Sequence, residues 1–386
     1  MKKIILLLVC VLIVFGLFGC DKDTGDTAEK VLYTPQEILQ PLKNPNMGWT
    51  TYSFKPYTDT TAVFGGQMSK YSTNIYSNYF SWRELEPSEG VYDFTPIDNF
   101  VKLWKDYDLD VAVGIHMADA TSLPGQIHVP QYIYEQVGGK WVTELYGGAF
   151  TLPYPTWEPY YWEEKLLTSW ENLLRAFAKE YEENALWQEK IAQLDMSSFG
   201  QWGEWHTSMF DDAYCRQDPN SKLYGKTDEQ VKEIQVQTME RMSKQYTDIF
   251  LNDETDIKYP RLTANVVYST VTYGEYVATE DGTLAPGIKN VIEASKMGEV
   301  DMFRRFIGGE QYLFGPDKET ILNHWQRLRF HGEWGSATGG IDDGDFGNNL
   351  VGNPTTTQQA VQMGLDYHSS TLGWYVGSVL ENKKVN

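Results

Sequence analysis

Cysteine and basic residues are scarce in this sequence, and long apolar runs are nearly absent. The 386 residues include 3 cysteines, and 32 lysines and arginines stand against 53 aspartates and glutamates, for a formal charge of −21. Because phosphates need basic partners, this balance argues against nucleic acid as a partner. It favours a neutral or cationic substrate over an anionic one. There is no His-x-x-x-His pair, so we expect neither a metal nor a cofactor.

The main apolar run lies at the N-terminus, where two lysines precede an uncharged stretch from Ile4 to Phe18. This stretch is shorter than the roughly 20 residues that span a bilayer, so a cleaved secretion signal over residues 1–19 is predicted. Its ending, Leu-Phe-Gly-Cys20, resembles the lipobox of bacterial lipoproteins. That resemblance implies that Cys20 carries acyl chains, which hold the protein on a membrane. The alternative is an ordinary secretion signal followed by an incidental cysteine.

Cleavage of the signal changes what the mature chain carries. It removes Cys10, so Cys215 would be the one cysteine without lipid, and a chain of this size needs no disulfide to bury a core. The loss of two lysines moves the formal charge from −21 to −23. Residues 20–43 are expected to hold the lipidated cysteine and a polar tether, whose acidic residues resemble surface-export signals of some Gram-negative lipoproteins. We therefore expect a lipid-anchored protein of the cell envelope, at the outer membrane or cell surface of a Gram-negative bacterium.

Strand and helix patterns alternate through residues 44–386, and no linker-like stretch interrupts them. Runs of β-branched and aromatic residues predict eight strands, at 48–54, 73–80, 110–116, 191–197, 261–267, 300–306, 328–333 and 371–376. Apolar residues recur at helical spacing at 97–104, 166–178, 231–242, 321–328 and 361–365. This alternation predicts a single α/β domain, a parallel (β/α)8 TIM barrel. The pattern is weakest at 55–71, which lacks a clear helix, and at the C-terminus, which ends without one.

The tripeptide Gly-Glu-Trp occurs twice, and both copies lie at the ends of predicted strands. Glu204 comes after the fourth strand, and Glu333 closes the seventh. In such barrels the chemistry takes place at the carboxyl ends of the strands. Cleavage of a glycosidic bond needs one carboxyl group to protonate the leaving oxygen and another to attack the anomeric carbon, beside aromatic rings that stack on the sugar. The repeat predicts a carbohydrate substrate, with Glu204 and Glu333 as the catalytic pair.

Three segments of the chain resemble glycoside hydrolases or barrels related to them. Residues 80–94, Phe-Ser-Trp-Arg-Glu-Leu-Glu-Pro-Ser-Glu-Gly-Val-Tyr-Asp-Phe, resemble the stretch after the second strand in β-galactosidase-like members of glycoside hydrolase clan A. Residues 44–49 and 199–206 look like a little-characterised group of bacterial barrels related to that clan. The resemblance implies a retaining (β/α)8 hydrolase, with the acid/base carboxylate at strand four and the nucleophile at strand seven. These roles fall to Glu204 and Glu333.

The resemblance and the strand positions also give candidate substrate-binding residues. They are Trp49, Trp82, Arg83, His116, Trp202, Trp205, His206, Asn265, Arg304, Trp334 and Trp374. Six of them have a structural alternative: core or loop packing for Trp49, Trp82 and Trp374, ion pairs with Glu84 or Glu86 for Arg83, and satisfied structural roles for His116 and His206. Glu310, in a glycine-rich turn after the sixth strand, is the alternative nucleophile. The acidic turn at 342–345 is too short for a full calcium loop and would bind calcium weakly at most.

One residue departs from the clan pattern. Members of the clan usually carry Asn directly before the acid/base glutamate, where it binds the sugar 2-hydroxyl, whereas this chain has Gly203. Either Gln201, His206 or Asn265 supplies that contact, or the activity is weakened or absent. A non-catalytic glycan-binding lipoprotein on a degenerate barrel is therefore the alternative to a hydrolase. An envelope scaffold without a sugar site is a third interpretation, which predicts that the rings near both glutamates are buried.

Overall fold

The computed structural model describes residues 48–53, 72–119, 126–145, 150–203, 209–210, 212–251, 258–265, 300–306, 329–334, 368 and 370–373. At some strand positions it describes the backbone alone. Residues 43–386 form one compact unit. The predicted signal and tether lie outside the described residues, as do the helices predicted at 321–328 and 361–365. Among the described residues, no helix is both long enough and apolar enough to cross a membrane.

Ten strands are described, and eight of them close into a parallel barrel. The ten are β1 (Gly48–Tyr52), β2 (Ser72–Ser81), β3 (Asp110–His116), β4 (Gly139–Leu145), β5 (Phe150–Pro159), β6 (Ile191–Asp195), β7 (Arg261–Asn265), β8 (Val300–Phe306), β9 (Phe330–Trp334) and β10 (Thr371–Gly373). All but β4 and β5 belong to the barrel, which closes where β1 pairs with β10. The predicted parallel α/β architecture is confirmed, with eight strands near the predicted positions.

Seven helices are described. They are α1 (Trp82–Leu85), α2 (Thr95–Trp104), α3 (Gln131–Val137), α4 (Glu164–Glu183), α5 (Ala185–Lys190), α6 (Ala213–Gln217) and α7 (Asp228–Phe250). The predictions at 97–104, 166–178 and 231–242 are confirmed by α2, α4 and α7, each of which buries its apolar positions. α7 begins with a capping box, in which Thr227 and Gln230 bind each other's backbone N–H groups.

The residues of β3 alternate between two buried layers, the main hydrophobic core on one face of the strand and the barrel interior on the other. Val111, Val113 and Ile115 belong to the main hydrophobic core, together with the buried faces of α2, α4 and α7. Because successive strand residues point to opposite faces, Ala112 and His116 face the barrel interior. The strand therefore carries His116 to the interior side of its carboxyl end.

The barrel interior contains a small polar and aromatic cluster. Tyr52, Tyr76 and Ala112 pack together, and the two tyrosine rings meet edge to face at a centroid distance of 5.1 Å. The Tyr76 hydroxyl donates a 2.7 Å hydrogen bond to Asp195 Oδ2, and both side chains are buried. Since β3 lies between β2 and β6, this bond joins two strands that are not neighbours in the sheet.

The antiparallel pair of β4 and β5 was not predicted from the sequence. It is inserted between α3 and α4, and prolines at 153 and 155 interrupt the strand pattern of β5 because proline cannot donate to a ladder. Trp157 of β5 is buried, with its ring 5.0 Å from that of Tyr134 on α3. An ion pair between Lys140 and Asp212 connects β4 to the start of α6.

The stretch that resembles β-galactosidase-like barrels folds as a short helix followed by a tight turn. Its Glu86 carboxylate is 1% exposed and accepts hydrogen bonds from Trp82 Nε1 at 2.6 Å, Gly90 N at 2.8 Å and the Tyr132 hydroxyl at 2.9 Å. Burial raises the pKa of this carboxyl group, and the three donors oppose that rise. Glu86 therefore acts as the buried centre of the turn.

Candidate active site at the carboxyl ends of the barrel strands

The segments that carry the two candidate catalytic glutamates occupy the expected strands. β6 is the fourth strand around the barrel and β9 the seventh. Glu333 lies in β9, where its backbone is in register with Arg305 of β8 and Gly373 of β10. After β6, a 3-10 turn at Gln201–Gly203 leads directly to Glu204, which lies outside the described residues. The strand positions agree with the predicted catalytic pair, and the positions of the two carboxylates stay predictions.

The turn before Glu204 has a backbone conformation that most residues avoid. Gly200, Trp202 and Gly203 have φ values of +81°, +55° and +72°. For a residue such as Trp, the left-handed region costs about 1–2 kcal/mol, and such strain tends to occur at functional sites. The Trp202 N–H donates a 2.9 Å hydrogen bond to the carbonyl oxygen of Ala118, which follows β3. This contact fixes the path of the turn just before the candidate acid/base residue.

Gly203 has no space for a side chain. A Cβ atom there would lie 2.4 Å from both the Cβ and the carbonyl oxygen of Ser197. Asparagine tolerates a positive φ better than most residues, but a contact this short excludes it from the present backbone. The asparagine expected from the clan is thus sterically excluded, and any contact with a sugar 2-hydroxyl must come from another residue.

A fully buried carboxylate from the unpredicted hairpin contacts the turn. Glu158 of β5 and Gln201 are both 0% exposed, and the Gln201 amide nitrogen donates a hydrogen bond to Glu158 Oε1. Tyr161 is also fully buried, and its burial, followed by the charge of Glu158, raises its pKa well above the usual value. Gln201 was one candidate for the sugar contact. The structure instead uses its amide group inside the protein.

Two of the candidate tryptophans have described side chains. Trp82 is 0% exposed, donates its indole N–H to Glu86 and meets the Trp170 ring edge to face at 5.2 Å. Its prediction as a substrate-binding residue is therefore wrong, because both faces of the ring are enclosed in the core. Trp202 is half-buried and packs against the main core. Part of the Trp202 side chain is exposed, so its predicted contact with a sugar stays a prediction.

The guanidinium group of Arg83 forms a hydrogen bond with a neutral side chain. Its Nη2 donates a 2.9 Å hydrogen bond to Gln131 Oε1, and its backbone N–H donates to the His128 carbonyl oxygen at 2.8 Å. The neighbouring carboxylates have other partners: Glu84 accepts from the Ser81 N–H at 2.9 Å and thereby caps α1. These contacts test neither the alternative of ion pairs with Glu84 or Glu86 nor the predicted role of Arg83 beside the nucleophile, and both stay predictions.

His116 meets two residues that the sequence patterns did not identify. Its Nε2 lies 3.2 Å from Nδ1 of His128 and 3.9 Å from Oδ2 of Asp119. The three side chains are 3%, 5% and 5% exposed, and we call them the histidine cluster. No known metal-binding motif has this spacing, because His128 lies twelve residues after His116 and contacts it only in the folded protein. His116 is therefore a member of a buried polar cluster.

The remaining candidates are not described in side-chain detail. For Trp49, Asn265, Arg304, Glu333 and Trp334 the structure describes the backbone alone, and Trp205, His206, Glu310 and Trp374 lie outside the described residues, as do Cys20 and the acidic turn at 342–345. In the barrel sheet, Asn265 pairs with Phe303, and Arg304 pairs with Gly332. The backbone register places Arg304 one position before the residue opposite Glu333. Their roles in binding stay predictions.

Comparison with protein families gives a match over part of the chain. Residues 61–124 match the model of glycoside hydrolase family 42, described as beta-galactosidase. This region contains β2, β3 and the 80–94 stretch, and it covers less than half of the chain. No curated protein sequence matches the chain.

The solved structures matched by this chain include two carbohydrate-active enzymes. The catalytic domain of the beta-amylase from Paenibacillus polymyxa shares 10% identity at a TM-score of 0.51, over 80% of this chain and 86% of that one. The exo-beta-1,4-mannosidase Op5Man5 from the Opitutaceae bacterium strain TAV5 shares 12% identity at a TM-score of 0.35, over 79% of this chain and 45% of that one. The first likeness concerns the fold alone. The family match over residues 61–124 supports a relationship to glycoside hydrolases, and the first likeness supports the barrel fold.

Proposed function

We propose that this protein is a retaining glycoside hydrolase that cleaves a poly- or oligosaccharide, with Glu204 as acid/base and Glu333 as nucleophile. The observation that carries the proposal is the strand order. Glu333 lies one residue before the end of the seventh strand of a closed parallel barrel, and Glu204 directly follows the turn after the fourth. Because all eight strands are parallel, their carboxyl ends share one face of the barrel, where the active sites of such folds lie.

The reaction would proceed by double displacement. Glu333 attacks the anomeric carbon while Glu204 donates its proton to the leaving oxygen, which gives a glycosyl ester on Glu333 and the first product. Glu204, now a carboxylate, removes a proton from water, whose oxygen displaces Glu333 and releases a sugar with its original anomeric configuration. This mechanism needs the carboxyl groups roughly 5–5.5 Å apart, whereas inversion needs roughly 6.5–9.5 Å.

Two features next to Glu204 support its assignment. The strained turn at Gly200–Gly203 is docked on Ala118 and on the buried Glu158, so the chain enters position 204 from a fixed direction. Trp202 offers a partly exposed ring at this turn, and an apolar neighbour would keep a carboxyl group protonated near neutral pH. A fixed backbone and an apolar neighbour would both favour the role of general acid for Glu204.

Hydrolysis is tested with purified protein on a panel of polysaccharides and oligosaccharides. The wild type should release reducing ends, and nuclear magnetic resonance of the first product should show the substrate's own anomeric configuration. Glu204→Gln should lower kcat/KM by roughly 10²–10⁴-fold. Glu333→Ala should be inactive, and azide should restore turnover by forming a glycosyl azide of inverted configuration.

Glu189→Gln provides the matched control. Glu189 is exposed on α5 just before β6 begins, at the opposite end of that strand from the candidate site, so its substitution should leave turnover unchanged. An inverted first product, or full activity of Glu204→Gln, would rule out the assignment of the pair.

A glycan-binding protein without hydrolysis is the second candidate, and Gly203 favours it. The clan's asparagine cannot occupy this position, so a contact that strengthens in the transition state is missing there. Saturable binding of an oligosaccharide without release of reducing ends, together with unchanged affinity in Glu204→Gln, would support this function over hydrolysis.

We further propose that lipid on Cys20 anchors the protein at the cell envelope of a Gram-negative bacterium. The supporting observation is the Leu-Phe-Gly-Cys ending of the apolar N-terminal run. Mass spectrometry of the mature N-terminus should show an acylated Cys20, and Cys20→Ser should release the protein from the membrane fraction. A membrane-bound Cys20→Ser protein would contradict this anchor.

A further inference from the structure

The histidine cluster combines three donor groups from both ends of one loop. His116 ends β3, Asp119 follows three residues later, and His128 lies just before α3. All three side chains are at least nine-tenths buried, and buried ionisable groups are as a rule paired with one another or bound to a metal. One ligand atom from each residue lies within 4.8 Å of the other two.

The distances suit a metal ion. In a tetrahedral site with ligands about 2.0–2.1 Å from the metal, two ligand atoms are about 3.3–3.4 Å apart. His116 Nε2 and His128 Nδ1 are 3.2 Å apart, close to this spacing. His116 Nε2 and Asp119 Oδ2 are 3.9 Å apart, and the three ligand atoms lie within 4.8 Å of one another, so the Asp119 carboxylate must rotate toward the two imidazoles to complete the arrangement.

The donor types restrict which ion can bind. Ca²⁺ and Mg²⁺ prefer sites built from oxygen, whereas imidazole nitrogen favours Zn²⁺ and other divalent transition metals. Two neutral imidazoles and one carboxylate carry a single negative charge, which a divalent cation would more than neutralise. Three protein ligands leave a fourth position of a tetrahedral ion for water or another oxygen ligand.

We propose that His116, Asp119 and His128 bind one divalent transition-metal ion, with Zn²⁺ as the reference ion. The ion would tie the two ends of the loop between β3 and α3 together. Ala118 lies between His116 and Asp119 and accepts the hydrogen bond from Trp202, so the same ion would fix the surface on which the strained turn docks. The proposal goes beyond the hydrolase function and does not depend on it. It replaces the expectation from the sequence that no metal binds.

A direct hydrogen bond between the two imidazoles is the competing explanation of the 3.2 Å distance. It requires an N–H on one ring facing a lone pair on the other, and Asp119 Oδ2 would then contact His116 directly, without an ion between them. The two explanations differ in whether Asp119 affects metal binding, so Asp119→Asn separates them.

The test uses the purified full chain in detergent, treated with a chelator and then titrated with Zn²⁺ by calorimetry. We expect one equivalent to bind, a rise in Tm on addition of Zn²⁺, and the visible absorption bands of a tetrahedral site when Co²⁺ is used instead. His128→Ala and Asp119→Asn should each weaken Zn²⁺ binding by at least about 100-fold and remove the Co²⁺ bands.

His368→Ala is the matched control, because His368 is an exposed histidine outside the cluster, and it should bind Zn²⁺ as the wild type does. Asp119→Asn preserves the shape of the side chain, and circular dichroism checks that each variant is folded. Absence of a stoichiometric site in the wild type would overturn the proposal. So would Zn²⁺ binding that is equally tight in Asp119→Asn, His128→Ala and His368→Ala, because the ion would then lie elsewhere.

Discussion

Gly203 lies directly against the backbone of Ser197: a Cβ atom on the glycine would come within 2.4 Å of the Ser197 carbonyl oxygen. Ser197 cannot easily move away, because its hydroxyl donates a 2.8 Å hydrogen bond to the carbonyl oxygen of Ile115 in β3. The absence of a side chain immediately before Glu204 is therefore a steric requirement of this loop. A sequence comparison alone would read the same glycine as the loss of a functional residue.

The substitution Gly203→Ala should destabilise the protein by at least about 2 kcal/mol. The new Cβ must displace the Ser197 backbone, and alanine also adopts the left-handed region at a cost. Gly90→Ala is the matched control, since Gly90 has the same φ of +72° but no atom within 4 Å of its Cβ position. Urea denaturation should show a loss of about 1 kcal/mol for Gly90→Ala. Equal losses for the two variants would show that the Ser197 contact is relieved at little cost.

Tyr76→Phe should lower the free energy of unfolding by about 1–3 kcal/mol. It removes the hydrogen bond to Asp195 while it keeps the ring contact with Tyr52, so a buried carboxyl oxygen loses a donor. Tyr214→Phe is the control, because Tyr214 is 56% exposed and keeps its ring beside Lys140. Urea denaturation that shows no difference between the two variants would mean that the interior hydrogen bond adds nothing to stability.

Glu86→Gln should lower the free energy of unfolding by about 1–3 kcal/mol. The glutamine NH₂ group cannot accept a hydrogen bond, so one of the three N–H or O–H groups that donate to the Glu86 carboxylate would lose its acceptor. The loss should depend on pH. Burial raises the pKa of Glu86 in the folded protein above 4.5, so the folded state binds this proton more tightly than the unfolded chain does. The stabilisation that comes from this tighter proton binding is fully present below pH 4.5. It is lost as the pH rises through the raised pKa of Glu86 in the folded protein. Glutamine does not titrate, so the stability gap between wild type and variant should narrow as pH rises.

Thermal unfolding of both proteins from acidic to neutral pH measures that gap. The exposed Glu189→Gln variant should show a small difference from wild type that hardly changes over the same range. A gap for Glu86→Gln that widens with pH would mean that the folded state favours the ionised carboxylate, contrary to this prediction.

The thiol of Cys215 should be unreactive in the folded protein. It is fully buried, and burial raises its pKa to about 12, so almost no thiolate is present near neutral pH. An aromatic disulfide reagent should therefore react with it after denaturation and not before. Cys215→Ala should remove the signal that appears on denaturation. Rapid labelling of the native wild type would show that the thiol becomes accessible through local opening.

The parallel barrel could be predicted from the sequence because its strands and several helices carry strong local patterns. The run Asp-Val-Ala-Val-Gly-Ile-His of β3 is an apolar strand by composition, and the faces of α2, α4 and α7 repeat at helical spacing. The pair of β4 and β5 could not be predicted, since its prolines and mixed polarity conceal the strand pattern. Its importance lies in Glu158, which reaches the turn before Glu204 through tertiary contact alone.

In the candidate site, too, some features follow from the sequence pattern and others only from tertiary packing. Order along the chain was enough to assign Glu204 and Glu333 to the fourth and seventh strands, because strand order in a parallel barrel follows chain order. Packing decided the rest: it enclosed Trp82 in the core, excluded a side chain at Gly203 and brought His128 and Asp119 to His116. Periodicity and motifs record what each residue prefers locally, whereas burial and contact depend on which distant segments meet, and that is fixed when the barrel closes.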